Sequence, residues 1–528
     1  MDFSSSDDLV LVGLLAAAAA LLAIAELIRI PYPIPLVLGG LVLGFVPGMP
    51  PIELPPDIVL VAVLPPLLYG AAFFAPLREL RANARPIGLL AIGLVLTTTL
   101  AVAAVAHAAI PGLDWPTAFV LGAIVSPTDP TAATAIAQRL GLPRRLVALV
   151  EGESLVNDGT ALVAYRFAVA AVVTGSFSLA TASGRFVLSI AGGIAVGVAV
   201  GFVLREVRRR LDNPPVEITI SILSGYFAYL PAEALDVSGV LSAVTVGIYM
   251  GWHTPELTTA QTRLQGVAVW EILFFLLNAF LFTIIGLQLP VILDGLAGYS
   301  TATLIWYAVL IAVTVVAARF AWIFATAHLP RLLGRLRRES AAPWQSSVVL
   351  AWSGMRGAVS LAAALALPLT TDAGTAFPNR ELVVFLTFSV ILVTVVVQGL
   401  TLPKLIDVLE LEDDSRLEAK EDTKARIHAA EAALARLEEL VDEEWVRDDT
   451  ADRLRGLYEF RRSRFRARFD GADDGAIEQR STDYQRLLRE LLQSERVAVR
   501  ALRRERRISD EVMRRVEREL DLEEARLE

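Results

Sequence analysis

Two aspartates lie inside stretches that are otherwise built for hydrocarbon. Asp129 is in "GAIVSPTDPT", residues 122–131, and Asp158 is in "EGESLVNDGT", residues 151–160. A carboxylate within the membrane is costly, and such residues usually mark a path for ions or protons. Carboxylate oxygen can hold a hard cation or a proton, so both aspartates are candidates for binding and releasing them.

The first aspartate is flanked by Pro127 and Pro130. Each proline lacks an amide donor, so a helix there is expected to break and leave carbonyl oxygens without partners. The oxygens available to a cation are the carbonyls of Ala123 and Ser126 and the hydroxyls of Ser126, Thr128 and Thr131. A plain proline kink, with Asp129 capping the second half-helix, is the alternative, and the intramembrane carboxylate favours the functional interpretation.

In the second stretch, helical spacing places Ser154 and Asp158 on one face, with Glu151 on the same face nearer the helix end. Glu153 and Asn157 form an adjacent stripe. A solvated helix end accounts for Glu151, but Asp158 lies about two turns deeper. Asp158 is therefore the predicted titrating group.

The charge of Glu153 requires a partner within the membrane. Three arginines lie inside predicted spans: Arg166, Arg319 and Arg356. We predict a structural ion pair between Glu153 and Arg356, which leaves Asp158 free to titrate. A second structural pair, between Glu271 and Arg319, is predicted for the other deep acid.

The composition specifies the kind of protein that carries these groups. The 528 residues are 55% hydrophobic with a mean hydropathy of +0.55, which indicates many membrane spans. The last 118 residues hold 32 Asp/Glu and 26 Lys/Arg, more than half of the chain's 57 acidic and 48 basic residues. We therefore predict a transmembrane domain over 1–407 and a cytoplasmic, charged helical tail over 408–528. The net charge of −9 gives no reason to expect a nucleic-acid partner, and the absence of cysteine excludes thiolate metal sites.

Apolar runs separated by Pro, Gly and charge predict about thirteen spans. Their ranges are 8–28, 34–48, 57–76, 86–110, 116–137, 146–174, 184–204, 216–232, 237–251, 264–289, 301–328, 344–368 and 380–403. With the N-terminus outside, alternate loops carry nearly all the arginines, as the positive-inside rule requires for cytoplasmic loops. The acidic start "MDFSSSDDLV" lacks the basic region of a signal peptide, so the first run is expected to be retained as a span.

An odd number of spans is compatible with two inverted six-helix repeats joined by a connector. In that arrangement the fifth span, with "SPTDP", corresponds to the twelfth, with "WSGMRGAVS" at residues 352–360. Interrupted segments at matching positions in two halves are typical of the binding site of secondary transporters.

The motifs "SPTDP", "EGESLVND" and "GMRGAVSLAAALALP", with "LPPLLY" at residues 64–69, resemble the bacterial sodium/proton exchangers of the monovalent cation:proton antiporter family. The resemblance covers about residues 9–407. It implies an all-α dimer in the bacterial inner membrane with two unwound, crossed helices. It also implies Na⁺ and H⁺ binding in turn at Asp158, surrounded by Asp129, the Thr128 backbone and Ser154, and a Glu153–Arg356 pair.

Asn157 before Asp158 marks, in this family, the branch expected to exchange one cation for one proton without net charge movement. Many relatives carry an acid where this chain has Gly70, which leaves Li⁺ and K⁺ open beside Na⁺. A K⁺/H⁺ antiporter of the same fold is the alternative function. A cation channel or an intramembrane hydrolase using Ser154 or Ser353 is disfavoured, because filter repeats and GxSxG or HExxH patterns are absent from the sequence. The expected protein is a pH-homeostasis transporter with no enzymatic activity and no cofactor.

Overall fold

The computed structural model is built from α-helices. It describes residues 20, 27, 30–46, 58–130, 133–134, 136, 140, 142–175, 179–296, 298–332, 343–410, 415–470 and 476–525. Contacts between Cα atoms divide the chain into two compact units, Met1–Asp413 and Asp414–Glu528.

The helices of the first unit follow the predicted apolar runs. They are α1 (Pro33–Gly44), α2 (Leu64–Phe74), α3 (Ala84–Ala109), α4 (Trp115–Val125), α5 (Arg144–Thr174), α6 (Leu179–Arg208), α7 (Pro214–Ala234), α8 (Gly239–Leu257), α9 (Ala260–Leu287), α10 (Thr301–Leu332), α11 (Trp344–Trp352), α12 (Ala358–Leu365) and α13 (Arg380–Leu409). A π-helical segment, Ile58–Val63, precedes α2, and short helices lie at Leu77–Ala82 and Leu289–Asp294.

Every predicted span from the second onward overlaps one of these helices, and the twelfth is divided between α11 and α12. The first, 8–28, falls almost entirely outside the described residues. In the part of the chain that is described, six helices are long and apolar enough to cross a membrane, and three shorter helices are also apolar. The all-helical architecture is thus as expected, while the count of thirteen spans stays a prediction.

Helix ends follow local chemistry. Asp114 caps α4 by accepting a hydrogen bond from the amide of Thr117 at 3.1 Å, and Ser238 caps α8 through the amide of Leu241 at 3.2 Å. At the C-terminal end of α5, Gly175 adopts a left-handed conformation with φ of 65°, which costs a glycine little. These caps set where the long helices begin and end.

The helices of the first unit pack closely where glycine replaces a side chain. A Cβ added at Gly40 of α1 would overlap the carbonyl oxygen of Thr283 in α9, and one added at Gly286 would lie 2.5 Å from the amide of Leu41. Small residues allow such close approach between membrane helices, where van der Waals packing rather than hydrophobic expulsion stabilises the contact. The main buried cluster combines side chains from α1, α3, α4, α5, α9, α10, α12 and α13.

The second unit consists of four charged helices, α14 (Ser415–Leu440), α15 (Asp448–Asp470), α16 (Ala476–Arg504) and α17 (Asp510–Glu524). α14 packs on α15, and α16 packs on α17 around Leu492 and Leu520. Ion pairs such as Arg500–Glu517, at 2.8 Å, line the second pair of helices. The unit therefore has a small apolar core and an exposed, ion-paired surface.

Candidate functional site

The break after α4 is formed as the prolines predict. The helix ends at Val125, and residues 126–130 are not helical. The hydroxyl of Ser126 donates to the carbonyl of Ala123 at 2.9 Å, so one of the freed carbonyls is satisfied locally. Thr131, another predicted oxygen donor, lies outside the described residues.

A second break separates α11 from α12, over residues 353–357. Ser353 repeats the pattern of Ser126, because its hydroxyl donates to the carbonyl of Leu350 at 3.0 Å. The amide of Arg356 donates to the Thr394 hydroxyl of α13 at 3.1 Å. Side chains thus replace the helical hydrogen bonds that the break removes.

The two non-helical segments contact each other directly. The amide of Asp129 donates to the carbonyl of Met355 at 2.8 Å, and Arg356 Nε donates to the carbonyl of Val125 at 3.0 Å. A Cβ at Gly357 would lie 2.6 Å from Asp129 Cγ, so a glycine is required for this approach. The segments predicted to interrupt the fifth and twelfth spans are therefore brought together at one point.

The predicted partner of Glu153 is wrong. Its carboxylate accepts two hydrogen bonds from Arg319, at 2.5 Å from Nη1 and 2.9 Å from Nη2, and both residues are 1% exposed. Arg319 reaches across from α10, and it also donates to the carbonyl of Leu350 at the end of α11, at 3.0 Å from Nη2. This bidentate geometry satisfies the buried carboxylate on both oxygens.

Arg356 has a different role from the one predicted. Its side chain donates to the backbone carbonyls of Val125 and Gly354. Because Val125 is the last residue of α4, the guanidinium places positive charge at the negative end of that half-helix. Arg319 does the same for α11, so each broken helix ends against an arginine.

The structure also shows the surroundings of Glu271 and Arg166, the other charged residues in predicted spans. Glu271 is exposed on α9 and does not pair with Arg319, because Arg319 is already engaged by Glu153. Arg166, which extends from α5, forms an ion pair with Glu233 near the end of α7.

Thr128 and Asn157 extend the Glu153 pair toward the break. The hydroxyl of Thr128 donates to Glu153 Oε1 at 3.0 Å and accepts from Asn157 Nδ2 at 2.8 Å. Asn157 Oδ1 is buried without a hydrogen-bond partner among the described residues. Asn157 and Thr128 therefore belong to one buried hydrogen-bond network, which starts at Arg319 and passes through Glu153.

Asp158 lies on the adjacent face of α5, and it lines a cavity of about 480 Å³. Its side chain and that of Ser154 are nearly buried, each residue being 7% exposed. No described residue donates a hydrogen bond to the Asp158 carboxylate. Thr128 and Asp129 from the first break line the same cavity. Asp129, Asp158, Ser154 and Thr128 thus line one space, and carboxylate and hydroxyl oxygens are types that a hard monovalent cation prefers.

The cavity also has lining residues that sequence reasoning missed. Tyr32, at the start of α1, and Asn278, in the middle of α9, add a hydroxyl and an amide to its wall, and Glu151 adds a third carboxylate. Gly70 lies where an acid was expected by resemblance. A Cβ there would lie 2.7 Å from Cζ3 of Trp270. Aromatic rings therefore occupy the space that an acidic side chain would need.

No group of three or more His, Cys, Asp or Glu side chains arranged to hold a metal ion occurs among the described residues. Around Asp158 the lining residues are Asp129, Ser154 and Thr128, and Glu151 lies farther along the same cavity. Such a set suits a transported cation that must leave again.

Comparisons with known proteins identify the family of the chain. Residues 13–407 match the model of the transmembrane sodium/hydrogen exchanger family. An uncharacterized Na⁺/H⁺ exchanger of Mycobacterium tuberculosis is 38% identical over 526 residues, covering 98% of this chain and 96% of that protein. A sodium, potassium, lithium and rubidium/H⁺ antiporter of Bacillus subtilis is 35% identical, covering 73% of this chain and 60% of that protein.

A solved structure supports the fold. The sodium proton antiporter MjNhaP1 of Methanocaldococcus jannaschii superposes with a TM-score of 0.60 at 20% identity, covering 76% of this chain and 99% of that one. The family model extends over nearly all of the first unit, including both breaks and α5. The chain belongs to the sodium/hydrogen exchanger family.

Proposed function

We propose that this chain exchanges Na⁺ for H⁺ across the bacterial inner membrane, and that cation and proton compete for Asp158. The observation that carries the proposal is the Asp158 carboxylate, which lies in the cavity without a hydrogen-bond partner among the described residues, beside Asp129, Thr128 and Ser154. By contrast, Glu153 on the same helix is held by Arg319. One carboxylate is free to bind and release, and the other is fixed.

In the exchange cycle, deprotonated Asp158 ligates Na⁺ together with Asp129 and the hydroxyl of Ser154. Protonation of Asp158 removes the charge that holds the cation, so the cation leaves and the proton is carried back. A single carboxylate holds either one proton or one monovalent cation, which gives electroneutral one-for-one exchange. Asn157, the neighbour of Asp158, bonds Thr128 and supplies no second titrating group.

We further propose that the first unit contains thirteen spans over 1–407, in two inverted repeats, with the N-terminus outside and the tail, 408–528, in the cytoplasm. The similar breaks at 126–130 and 353–357 support the repeat, and the arginine-rich loops support the orientation. A homodimer is expected from the family. In this orientation the cavity, which extends to Glu151 and to Ala75 at the end of α2, lies toward the cytoplasmic side.

The cation preference is proposed to be Na⁺, with Li⁺ and K⁺ as the alternatives to be measured. The residues that α2 contributes to the cavity wall, Gly70 among them, carry no carboxylate, and the rings of Trp270 and Phe274 lie against Gly70. Fewer carboxylates around a site weaken the discrimination that charge density provides among monovalent cations.

The decisive experiment compares wild type with Asp158→Asn in everted vesicles that contain a trapped pH dye. Na⁺, Li⁺ and K⁺ are added in turn. We expect Asp158→Asn to abolish cation-driven proton movement while the protein still inserts and folds. Asp212→Asn, in the exposed loop between α6 and α7, is the matched control and should exchange normally. Residual exchange by Asp158→Asn above that of empty vesicles would contradict the proposal.

The stoichiometry is tested separately by current measurement on a solid-supported membrane. One-for-one exchange should give no sustained current. A sustained current would show that a second carboxylate, such as Asp129, shares the cycle or that the protein conducts as a channel. Such a result would refute the one-site mechanism.

A further inference from the structure

We infer that Glu151 recruits cations into the cavity and thereby sets the apparent affinity for the transported cation. This inference rests on the proposed function. It assigns a role to a residue that the sequence alone explained as a solvated helix end.

Glu151 shares both the helix face and the cavity with Asp158. The two residues are separated by seven positions on α5, with Ser154 between them, and all three line the cavity. Seven residues of helix rise by about 10 Å, so the two carboxylates lie about two turns apart along one wall. A cation that passes Glu151 has a continuous space to Asp158.

The Glu151 carboxylate has no direct partner among the described residues. It is half-buried, and it forms no hydrogen bond or ion pair with any residue that the structure describes. Arg145, in the first turn of α5, donates to Asn83 at 3.2 Å and does not pair with Glu151. A carboxylate that is kept partly buried and unpaired carries a desolvation cost that a passing cation would offset.

The rest of the cavity wall reinforces this charge. The described lining includes three acidic side chains, those of Asp129, Glu151 and Asp158, and no Lys or Arg. Most of the remaining lining is apolar, with Leu67, Leu68 and Leu155 among it. Clefts of one charge sign with low-dielectric walls focus the field and raise the local concentration of the counter-ion.

The size of the effect follows from the separation. Two unit charges about 10 Å apart interact weakly at the dielectric of water and four times more strongly at an effective dielectric of about 20. Removal of the Glu151 charge should therefore raise the apparent KM for Na⁺ by about twofold to about fifteenfold. The maximal rate should change by less than about twofold, because at saturating Na⁺ the Asp158 site is filled in either case.

The test compares Glu151→Gln and Glu151→Asp with wild type, with Asp212→Asn as the control for loss of one exposed carboxylate on the same side. Na⁺-driven proton movement is measured in everted vesicles over a range of Na⁺ concentrations. Each series is repeated with added choline chloride, an inert salt that screens the charge of Glu151.

We expect Glu151→Gln to raise KM with little change in the maximal rate, Glu151→Asp to restore most of the affinity, and Asp212→Asn to match wild type. Choline chloride should raise the KM of wild type more than that of Glu151→Gln. An unchanged KM in Glu151→Gln, or a loss of maximal rate without a change in KM, would overturn the inference. Wild-type vesicles without Na⁺/H⁺ exchange would instead refute the proposed function.

Discussion

Breaking the buried pair between Glu153 and Arg319 should be among the most destabilising single changes in the membrane domain. Glu153→Gln removes a charge that accepts from Arg319 at 2.5 and 2.9 Å and from Thr128 at 3.0 Å. The guanidinium, 1% exposed, then loses its counter-charge. Loss of one partner of a buried pair costs about 3–5 kcal/mol of unfolding free energy.

Arg319→Gln should cost more than Glu153→Gln. The arginine also donates to the carbonyl of Leu350 at 3.0 Å from Nη2 and 3.3 Å from Nε, and these bonds satisfy the end of α11. The two contacts share one carbonyl acceptor, and a hydrogen bond from a charged group contributes about 1.5–3 kcal/mol, so the arginine variant should be lower in stability by about that amount. The structure therefore predicts which of the two variants is less stable, and by how much.

The measurement is the unfolding of purified protein in mixed micelles of dodecyl maltoside and SDS, followed by tryptophan fluorescence. A double-mutant cycle of Glu153→Gln and Arg319→Gln should give a coupling of about 2 kcal/mol or more. The same cycle with Arg356→Gln should give a smaller value. Arg210→Gln is the control, because its ion pair with Glu206, at 2.7 Å, lies outside the predicted spans, is exposed and is worth about 0–1 kcal/mol.

Two results would refute this reasoning. One is a Glu153→Gln variant within about 1 kcal/mol of wild type, which would show that the pair contributes little net stability. The other is a stronger coupling of Glu153 to Arg356 than to Arg319, which would restore the pairing expected from the sequence.

Three further predictions concern the break and the site. Gly357→Ala should lower exchange and cost about 1–3 kcal/mol of stability, because its methyl group would overlap Asp129. The control is Gly88→Ala, which has nothing near the added methyl group and should resemble wild type. Equal behaviour of the two variants in the vesicle and unfolding assays would contradict the contact between Gly357 and Asp129. Thr128→Val should cost about 1–3 kcal/mol in the same unfolding assay, because it removes a buried hydroxyl that both donates and accepts, and an unchanged stability would count against that link. The apparent affinity for Na⁺ should fall by about tenfold per pH unit below the pKa of the Asp158 carboxyl, since ligation requires the deprotonated group, and a pH-independent affinity would exclude competition at one carboxylate.

Local chemistry explains what the sequence could predict. Apolar runs bounded by Pro, Gly and charge gave the helix positions from α1 to α13, because length and hydropathy are properties of each segment alone. The breaks at 126–130 and 353–357 were predictable from prolines and glycines for the same reason. Helical spacing also separated the face of Asp158 from that of Glu153.

Which helices pack side by side, and the distances between their side chains, were not predictable in this way. Three arginines were equivalent candidates for Glu153, and periodicity gives no distance between α5 and α10 or between α5 and the second break. The choice of Arg356 over Arg319 was therefore wrong. Glu271 was assigned a partner for the same reason, although its side chain is exposed. The cavity that joins Glu151 to Asp158 is formed by four helices together, so the residue pattern of α5 alone could not predict it.

The separation of Glu153 from Arg319 along the chain has a consequence for biosynthesis. The two residues are 166 positions apart, so α5 is translated long before its counter-charge exists. At about 5–20 residues per second, the ribosome needs about 8–33 s to reach Arg319. During this interval Glu153 lacks the partner that it has in the completed fold, and a charged group alone in hydrocarbon is unfavourable. α5 is therefore expected to stay beside the insertion machinery, or to enter the bilayer with a neutral Glu153, until α10 arrives.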